Sequence, residues 1–270
     1  MNTLRLDARG AEVGLLQQRL TRSGYPVDVT HVFDEQTEQA VIALQRAAGL
    51  VVDGVAGKNT NAFLATGMRD PKHITDADIE RAADTLGVPT ACVRAVCAVE
   101  SRGSGFLPDG RPVILFERHV MFRQLVKHRD KGTASLYAAS FPNIVSMSAG
   151  GYQGGAAEYV RLDLAARIDA AAAYESASWG AFQVMGFHWQ RLGYSSVDAF
   201  VAAMETSEGA QFDAFVRFVA ADAGLLAALK GRKWAAFAKG YNGPDYARNL
   251  YDAKLAQAYA RFTADAKAAA

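Results

Sequence analysis

The sequence predicts an all-α fold in two unequal parts, a small three-helix unit followed by a larger helical one, and three observations carry that expectation. Apolar residues recur at i, i+3, i+4 and i+7 through most of the chain, in runs opened by Asp, Ser or Thr and closed by Gly. Strand signals are weak, with only Pro112–Phe116 suited to a short extended run. A polar stretch over residues 67–75, Gly-Met-Arg-Asp-Pro-Lys-His-Ile-Thr, divides a compact first segment from the rest. The expected bounds are therefore 1–66 for the first domain, 67–75 for a linker and 76–270 for the second domain.

Within 1–66, Val13, Leu16, Gln17 and Leu20 mark one face of a helix over Ala11–Ser23, which Gly24 stops. Asp34 is an expected N-cap for a second helix through Ala48, with Ala40, Val41, Leu44 and Ala47 inward. A third helix follows over Lys58–Leu64. The turns before these two helices look alike, Val32-Phe33-Asp34 with Thr37 and Val52-Asp53-Gly54 with Thr60, which suggests two similar helix entries lining one groove. Asp and Gly also suit any turn before a helix, so singly these residues carry no function. Thr75 and Asp78 have capping-box spacing, and so short a linker implies two domains that touch or hinge.

From residue 76 the periodicity predicts helices over Asp76–Leu86, Thr90–Val99, Gly154–Tyr174, Val197–Met204, Gly209–Asp222 and Asp245–Ala268. Phe212, Phe215, Phe218 and Val219 recur at helical spacing and read as core. Residues 121–155, rich in Ser, Thr, Pro and Gly, read as a long loop-rich insertion.

The chain is 270 residues long, 50% hydrophobic and 21% charged, with a net charge of +1, an ordinary globular composition able to bury a sizeable core. Near-neutral charge argues against nucleic acid as a partner. Cys92 and Cys97 lie five residues apart on one expected helix. That is about 7.5 Å of axial rise, too far for a bridge. They read as small apolar residues of a protein made in a reducing compartment. The first ten residues hold no apolar run of the secretory type, and no window reaches the ~18 apolar residues of a membrane span. A monomer without stable membrane insertion is expected.

Three patches could carry chemistry. Glu100-Ser101 ends an apolar helix, and a desolvated carboxyl there is expected to have a raised pKa, the property a general acid needs. A second lone carboxylate, Glu117, follows another apolar run. The second patch is Ser176-Ala-Ser178-Trp179-Gly180-Ala181-Phe182-Gln183-Val184-Met185-Gly186, expected as a turn into a short helix where glycine lets a ligand approach the backbone. The third, Tyr241-Asn242-Gly243-Pro244, sets a phenol and an amide on a tight turn. Glu100 could instead cap a loop, and Glu117 could pair with Arg118 or Arg111. The five histidines show no metal-ligand spacing and there is no G-x-S-x-G, so a zinc peptidase and a serine hydrolase are disfavoured.

Two resemblances sharpen this reading. The string Phe33-Asp34-x-x-Thr37-x-x-Ala40-Val41-x-x-Leu44-Gln45-x-x-x-Gly49-Leu50-x-x-Asp53-Gly54-Val55-x-Gly57-x-x-Thr60 resembles the three-helix peptidoglycan-binding domain of cell-wall hydrolases. Lys58 stands where that family usually has proline, and Asn61 where it often has tryptophan. Glu100-Ser101, Ser178-x-Gly180-x-x-Gln183-x-Met185 and Tyr241-Asn242-Gly243 follow the order of the lysozyme superfamily. With Gly105-Phe-Leu-Pro-Asp-Gly-Arg-Pro112, Leu115-Phe-Glu-Arg-His119 and Trp234-x-x-Phe-Ala-x-Gly-Tyr-Asn-Gly243, residues 77–262 resemble the N-acetylmuramidase domain of modular bacteriophage endolysins.

The resemblance implies a lysozyme-like second domain that cuts the β-1,4 bond between N-acetylmuramic acid and N-acetylglucosamine, with no cofactor or metal. It implies Glu100 as general acid, Glu117 as the expected second carboxylate with Glu175 or Asp109 as alternatives, and Ser178, Trp179, Gln183, Tyr241 and Asn242 as glycan-binding residues. On the first domain it points to Phe33, Asp34, Thr37, Asp53, Gly54 and Thr60. A lytic transglycosylase and a non-catalytic wall-binding protein are the other readings. An enzyme of this kind would wait in the host cytoplasm and reach the wall after a separate membrane lesion.

Overall fold

The computed structural model describes residues 2–100 and 104–268. The first unit holds α1 (Ala11–Arg22), α2 (Glu35–Ala47) and α3 (Lys58–Thr66) around a core of Leu4, Val13, Leu16, Leu20, Phe33, Val41, Leu44 and Ala56. The second begins with α4 (Asp76–Leu86) and α5 (Thr90–Glu100), then β1 (Ile114–Phe116), α6 (Arg118–His128) and α7 (Lys131–Ser140). After α8 (Ala157–Ala166) and α9 (Ala170–Glu175) come β2 (Ala177–Trp179) and β3 (Val184–Met185). The chain finishes with α10 (Val197–Thr206), α11 (Glu208–Ala220), α12 (Ala223–Lys230), α13 (Trp234–Asn242) and α14 (Tyr251–Ala268). No single helix among the described residues is long and apolar enough to cross a membrane.

The first unit is an internal repeat built on two buried glutamines. Gln17 donates through Nε2 to Thr30 Oγ1, Val32 O and Thr37 Oγ1, and its Oε1 accepts from His31 N. Gln45 does the same one step on, donating to Asp53 Oδ1, Val55 O and Thr60 Oγ1 and accepting from Asp53 N and Gly54 N. The repeat therefore pairs Val32 with Val55 and Phe33 with Ala56, both fully buried, so the expected pairing of Val32 with Val52 is out of register. Asp34 caps α2, accepting from Thr37 N and Thr37 Oγ1 at 2.8 and 2.7 Å, and these bonds hold its carboxyl below the usual range. Such a cap is worth about 1 kcal/mol.

The linker is fixed by a carboxylate on the far side of the sequence. Glu208, at the start of α11, is 4% exposed. Its Oε2 accepts from His73 Nδ1 at 3.1 Å and Ile74 N at 3.2 Å, its Oε1 from Gly105 N at 2.8 Å, and its own N donates to Lys72 O. One helical turn on, fully buried Gln211 accepts from Ala181 N and donates to Gly105 O and Met204 O. Thr75 and Asp78 form the expected capping box on α4. Asp76 and Arg94 pair at 2.6 Å and both bond the backbone of Val52, tying the first unit to the second.

Four expectations are corrected. Residues 121–155 are not one loop: α6 and α7 occupy about half of them, and a long irregular stretch follows only from Phe141. Ala134 is the one buried residue on α7, so its helical period is faint, but Asp130 caps it by accepting from Thr133 N. The expected helix over Gly154–Tyr174 is two, because Asp169 caps a new start by accepting from Ala172 N. Ser176–Gly186 forms a β-hairpin and not a turn into a helix. The last helix begins at Tyr251, after a 3₁₀ turn over Pro244–Asn249 that ends at Leu250 with φ 54°. Helices α12 and α13 were not anticipated. Cys92 and Cys97 are both buried and unbridged, and burial pushes both thiols above their usual range.

Burial pushes the Glu208 carboxyl up, but the bonds from His73, Gly105 and Ile74 outweigh it and hold the group below its ordinary value. A depressed folded-state pKa gives stability that is present above the unfolded value, about 4.3, and lost as pH falls through the folded one. Glu208→Gln cannot lose it that way. Wild type should melt above the variant at pH 6, and the gap should shrink as pH falls below about 4.5. Parallel melting curves from pH 6 to pH 3, followed by calorimetry, would refute the assignment.

Candidate active site

The sheet decides which side chains can meet a ligand. β2 pairs antiparallel with both neighbours, in the register Ile114↔Trp179, Leu115↔Ser178, Phe116↔Ala177, Ser178↔Met185 and Trp179↔Val184. Side chains alternate along a strand. One face therefore carries Ile114, Phe116, Ala177, Trp179 and Val184, all buried in the core. The other carries Leu115, Ser178 and Met185, and Glu117 follows on that side of β1. Trp179 is thus a core residue: it is 2% exposed, donates to Tyr174 O and packs edge-on against the Tyr174 ring. The expectation that it is presented to a glycan is corrected by this register.

The turn joining β2 to β3 is held by its own side chains. Ser178 Oγ donates to Gln183 Oε1 at 2.8 Å, and Gln183 Nε2 donates to Gly180 O at 2.8 Å. Gln183 adopts φ 51°, a left-handed conformation that costs a non-glycine residue about 1 kcal/mol or more. Tyr241 Oη donates to Phe182 O at 2.6 Å, while its ring packs among Phe215, Phe218 and Phe237. Tyr241 thus docks the end of α13 on the hairpin.

Asn242, next in the chain, donates through Nδ2 to Glu100 Oε1 at 2.9 Å. Glu100 is the last residue of α5 and 6% exposed. A contact path therefore runs from Glu100 through Asn242, Tyr241 and the hairpin to Leu115, whose carbonyl lies 3.5 Å from Ser178 Oγ, and on to Glu117. Ser101 lies outside the described residues.

Among the described residues Glu117 does not pair with an arginine. Arg118 donates to the carbonyls of Pro142, Ser148 and Ala149, and Arg111 to Asp109. Both Glu117 oxygens instead accept from the Tyr152 hydroxyl, at 3.0 and 2.8 Å. His119 Nδ1 lies 3.1 Å from Glu117 Oε2 without hydrogen-bond alignment, so it acts on the carboxylate by charge when protonated. Burial and the bond to Glu117 push the Tyr152 phenol above its usual range, so Tyr152 remains a donor. Sequence reading passed over Tyr152 and named His119 only as the end of a family string.

The loop bearing Tyr152 is built on a buried ion pair. Glu158, fully buried, accepts from Phe116 N and Gly154 N, and Arg161 bonds it at 2.7 Å while donating to Phe116 O and Asn143 O. Burial alone would raise the Glu158 carboxyl, yet the N–H bonds and Arg161 hold it low. The available signal was a Glu-x-x-Arg pair on an otherwise apolar helix.

The two alternative carboxylates are engaged elsewhere. Glu175 is 3% exposed and accepts from His128 Nε2 at 2.9 Å and Trp189 Nε1 at 2.8 Å, joining α6 to the turn after β3. Asp109 sits at an exposed hairpin tip, held low by its 2.6 Å bond to Arg111. On the first unit, Phe33 and Thr37 are fully buried and Thr60 nearly so, and Asp34, Asp53 and Gly54 serve the capping and glutamine networks. These side chains bond one another and the nearby backbone at the two helix entries. Among the described residues no group of three or more His, Cys, Asp or Glu is placed to hold a metal ion.

A family model described as N-acetylmuramidase matches residues 89–263. A peptidoglycan binding domain model matches residues 9–64. Among solved structures, the Burkholderia AP3 phage endolysin is 54% identical, with a TM-score of 0.93 over 97% of this chain and 99% of that one. No curated protein sequence matches the chain.

The hairpin turn leaves no room for a side chain at Gly180. Its φ is 74°, and an added Cβ would stand 2.4 Å from Gln211 Cδ. Left-handed strain and overpacking each cost about 1–3 kcal/mol. Gly180→Ala should lower the melting temperature by roughly 4–10 °C, measured by circular dichroism. An unchanged melting temperature would contradict the packing described.

Proposed function

The chain belongs to the N-acetylmuramidase family, and we propose that Glu100 is the acid with which it cleaves the glycan of bacterial peptidoglycan. The protein is a glycoside hydrolase of the phage endolysin type. The observation that carries the proposal is a buried carboxyl at the end of α5, one oxygen bonded by Asn242 and joined through the hairpin to a second carboxylate.

Glu100 gives its proton to the β-1,4 glycosidic oxygen as the bond to the N-acetylmuramic anomeric carbon breaks, so the leaving sugar departs as a neutral alcohol. Glu117 is the second carboxylate. Both its oxygens accept from Tyr152, the arrangement of a group that accepts a proton from water or faces the oxocarbenium charge. Ser178 and Gln183 shape the hairpin under the sugar, and Tyr241 and Asn242 hold Glu100 in register with it. Glu175 and Asp109, already engaged, are the weaker candidates.

Residues 1–66 act as the wall-docking domain and 76–270 as the cutting domain, with 67–75 as the joint. The inward-facing glutamine networks leave docking to the exposed surface of the first domain. The protein acts as a monomer at the host cell wall, reached after a separate membrane lesion.

Glu100→Gln retains size and hydrogen bonding but has no proton to transfer. General acid catalysis is worth about 10²–10⁴-fold, so turbidity clearing of purified peptidoglycan should fall at least that far with the melting temperature unchanged. Glu117→Gln should also abolish turnover while sedimentation with peptidoglycan persists. Mass spectrometry of wild-type digests should show reducing-end muropeptides. 1,6-Anhydro products would overturn hydrolysis in favour of transglycosylation, and a folded Glu100→Gln with near-normal rate would overturn the assignment of the acid.

A further inference from the structure

A groove of about 830 Å³ lies away from the hairpin, between the first domain and the helix that carries Glu100. Ala98 and Val99 of α5 form its floor, Arg5 and Asp7 one wall, and Lys254 and Arg261 of α14 the other. Val99 is one residue, about 1.5 Å of helix rise, before Glu100.

Its charge is unbalanced, and Lys254 and Arg261 lie over the rings of Tyr251 and Phe262. Three cations face one carboxylate, and among the described residues no ion pair is recorded for Arg5, Lys254 or Arg261, whereas Arg81, Arg94, Arg111, Arg129, Arg161, Arg191 and Arg217 all have carboxylate partners. Nε of Arg261 is buried and meets no acceptor among the described residues. Asp53, in the neighbouring cavity, also feels its charge. Arginine's fixed fork of N–H donors matches a carboxylate, and a donor with no acceptor at the edge of an open groove is poised for an incoming one.

We propose that this groove binds the carboxylates of the stem peptides on the peptidoglycan strand being cut. The inference rests on the glycan-cleaving reading above and adds a recognition site to it. The glycan itself offers hydroxyls and acetamides, while the peptides on its muramic residues carry free carboxylates, the only part of the substrate complementary to three cations. A strand lying at Glu100 sends its peptide over the end of α5, into the groove. Both domains contribute, so the peptide bridges them and the first domain takes part in choosing which bonds are cut.

The test uses the full chain and two substrates, intact peptidoglycan and the same glycan stripped of its peptides by an amidase and then amidated at the lactyl carboxyls this exposes. Wild type should cleave the intact form faster, and salt raised to about 0.5 M should erase much of that preference. Arg5→Glu/Lys254→Glu changes two exposed positions and should cut the ratio of intact to stripped rates at least about fivefold. Arg5→Gln/Lys254→Gln should give a smaller drop in the same direction. Lys127→Glu, an exposed reversal on α6, controls for net charge and should leave the ratio alone. An unchanged ratio in the double variants, an equal fall on both substrates, or no wild-type preference would each overturn the groove assignment while leaving glycan cleavage standing. Failure of wild type to cleave either substrate would overturn the functional reading itself.

Discussion

Everything near Glu100 depends on how α11 begins. Glu208 and Gln211 lie one turn apart on its buried face and between them bond the linker at His73 and Ile74, the loop after Glu100 at Gly105, and the hairpin at Ala181. Each of these partners is a backbone group or a half-buried side chain with little access to water. Leaving any of them unmade costs about 1–3 kcal/mol, so the three segments keep one mutual arrangement. Glycine at 105 and 180 follows from the same contact, since a Cβ at either would stand within 2.5 Å of the Gln211 side chain. The linker is short, and it is also clamped.

The two carboxylates of the proposed reaction are each supported by a residue distant in sequence. Asn242 reaches Glu100 across 142 positions, and Tyr152 reaches Glu117 across 35. Each is itself seated by a further contact, Asn242 through Tyr241 on Phe182 O and Tyr152 through the loop that Glu158 and Arg161 gather. A buried ion pair such as Glu158–Arg161 adds little net stability, because desolvation offsets its attraction. What it supplies here is geometry: it fixes the backbone of Phe116, the residue before Glu117, and the loop that brings Tyr152 to it.

In the first domain the residues that make the family string recognisable turned out to be scaffold. Gln17 and Gln45 each satisfy one helix entry from inside, and Thr37 and Thr60 complete them. Their side chains are spent on these bonds within the fold. Asn61, which stands where an aromatic is usual, donates back to the carbonyls of Ala56 and Gly57, closing the start of α3.

The sequence by itself determined the all-helical class, most helix starts and the candidate acid, because caps, apolar period and a lone Glu at a helix end are local signals within a few residues. Asp34, the Thr75–Asp78 box and Glu100 needed nothing from elsewhere in the chain. Where the local signal was weak it misled: α7 buries one side chain and read as loop, and Ser176–Gly186 has too few strand residues to announce a hairpin. Only the tertiary structure decided which face each residue serves. A register of one residue puts Trp179 in the core and Ser178 on the side of Glu117, and no alternation over three residues can be phased without the partner strands. The partners of Glu117, the clamp at Glu208 and the cationic groove beside Val99 likewise join segments tens to hundreds of residues apart. Their chemistry exists only once packing has brought those segments within bonding distance.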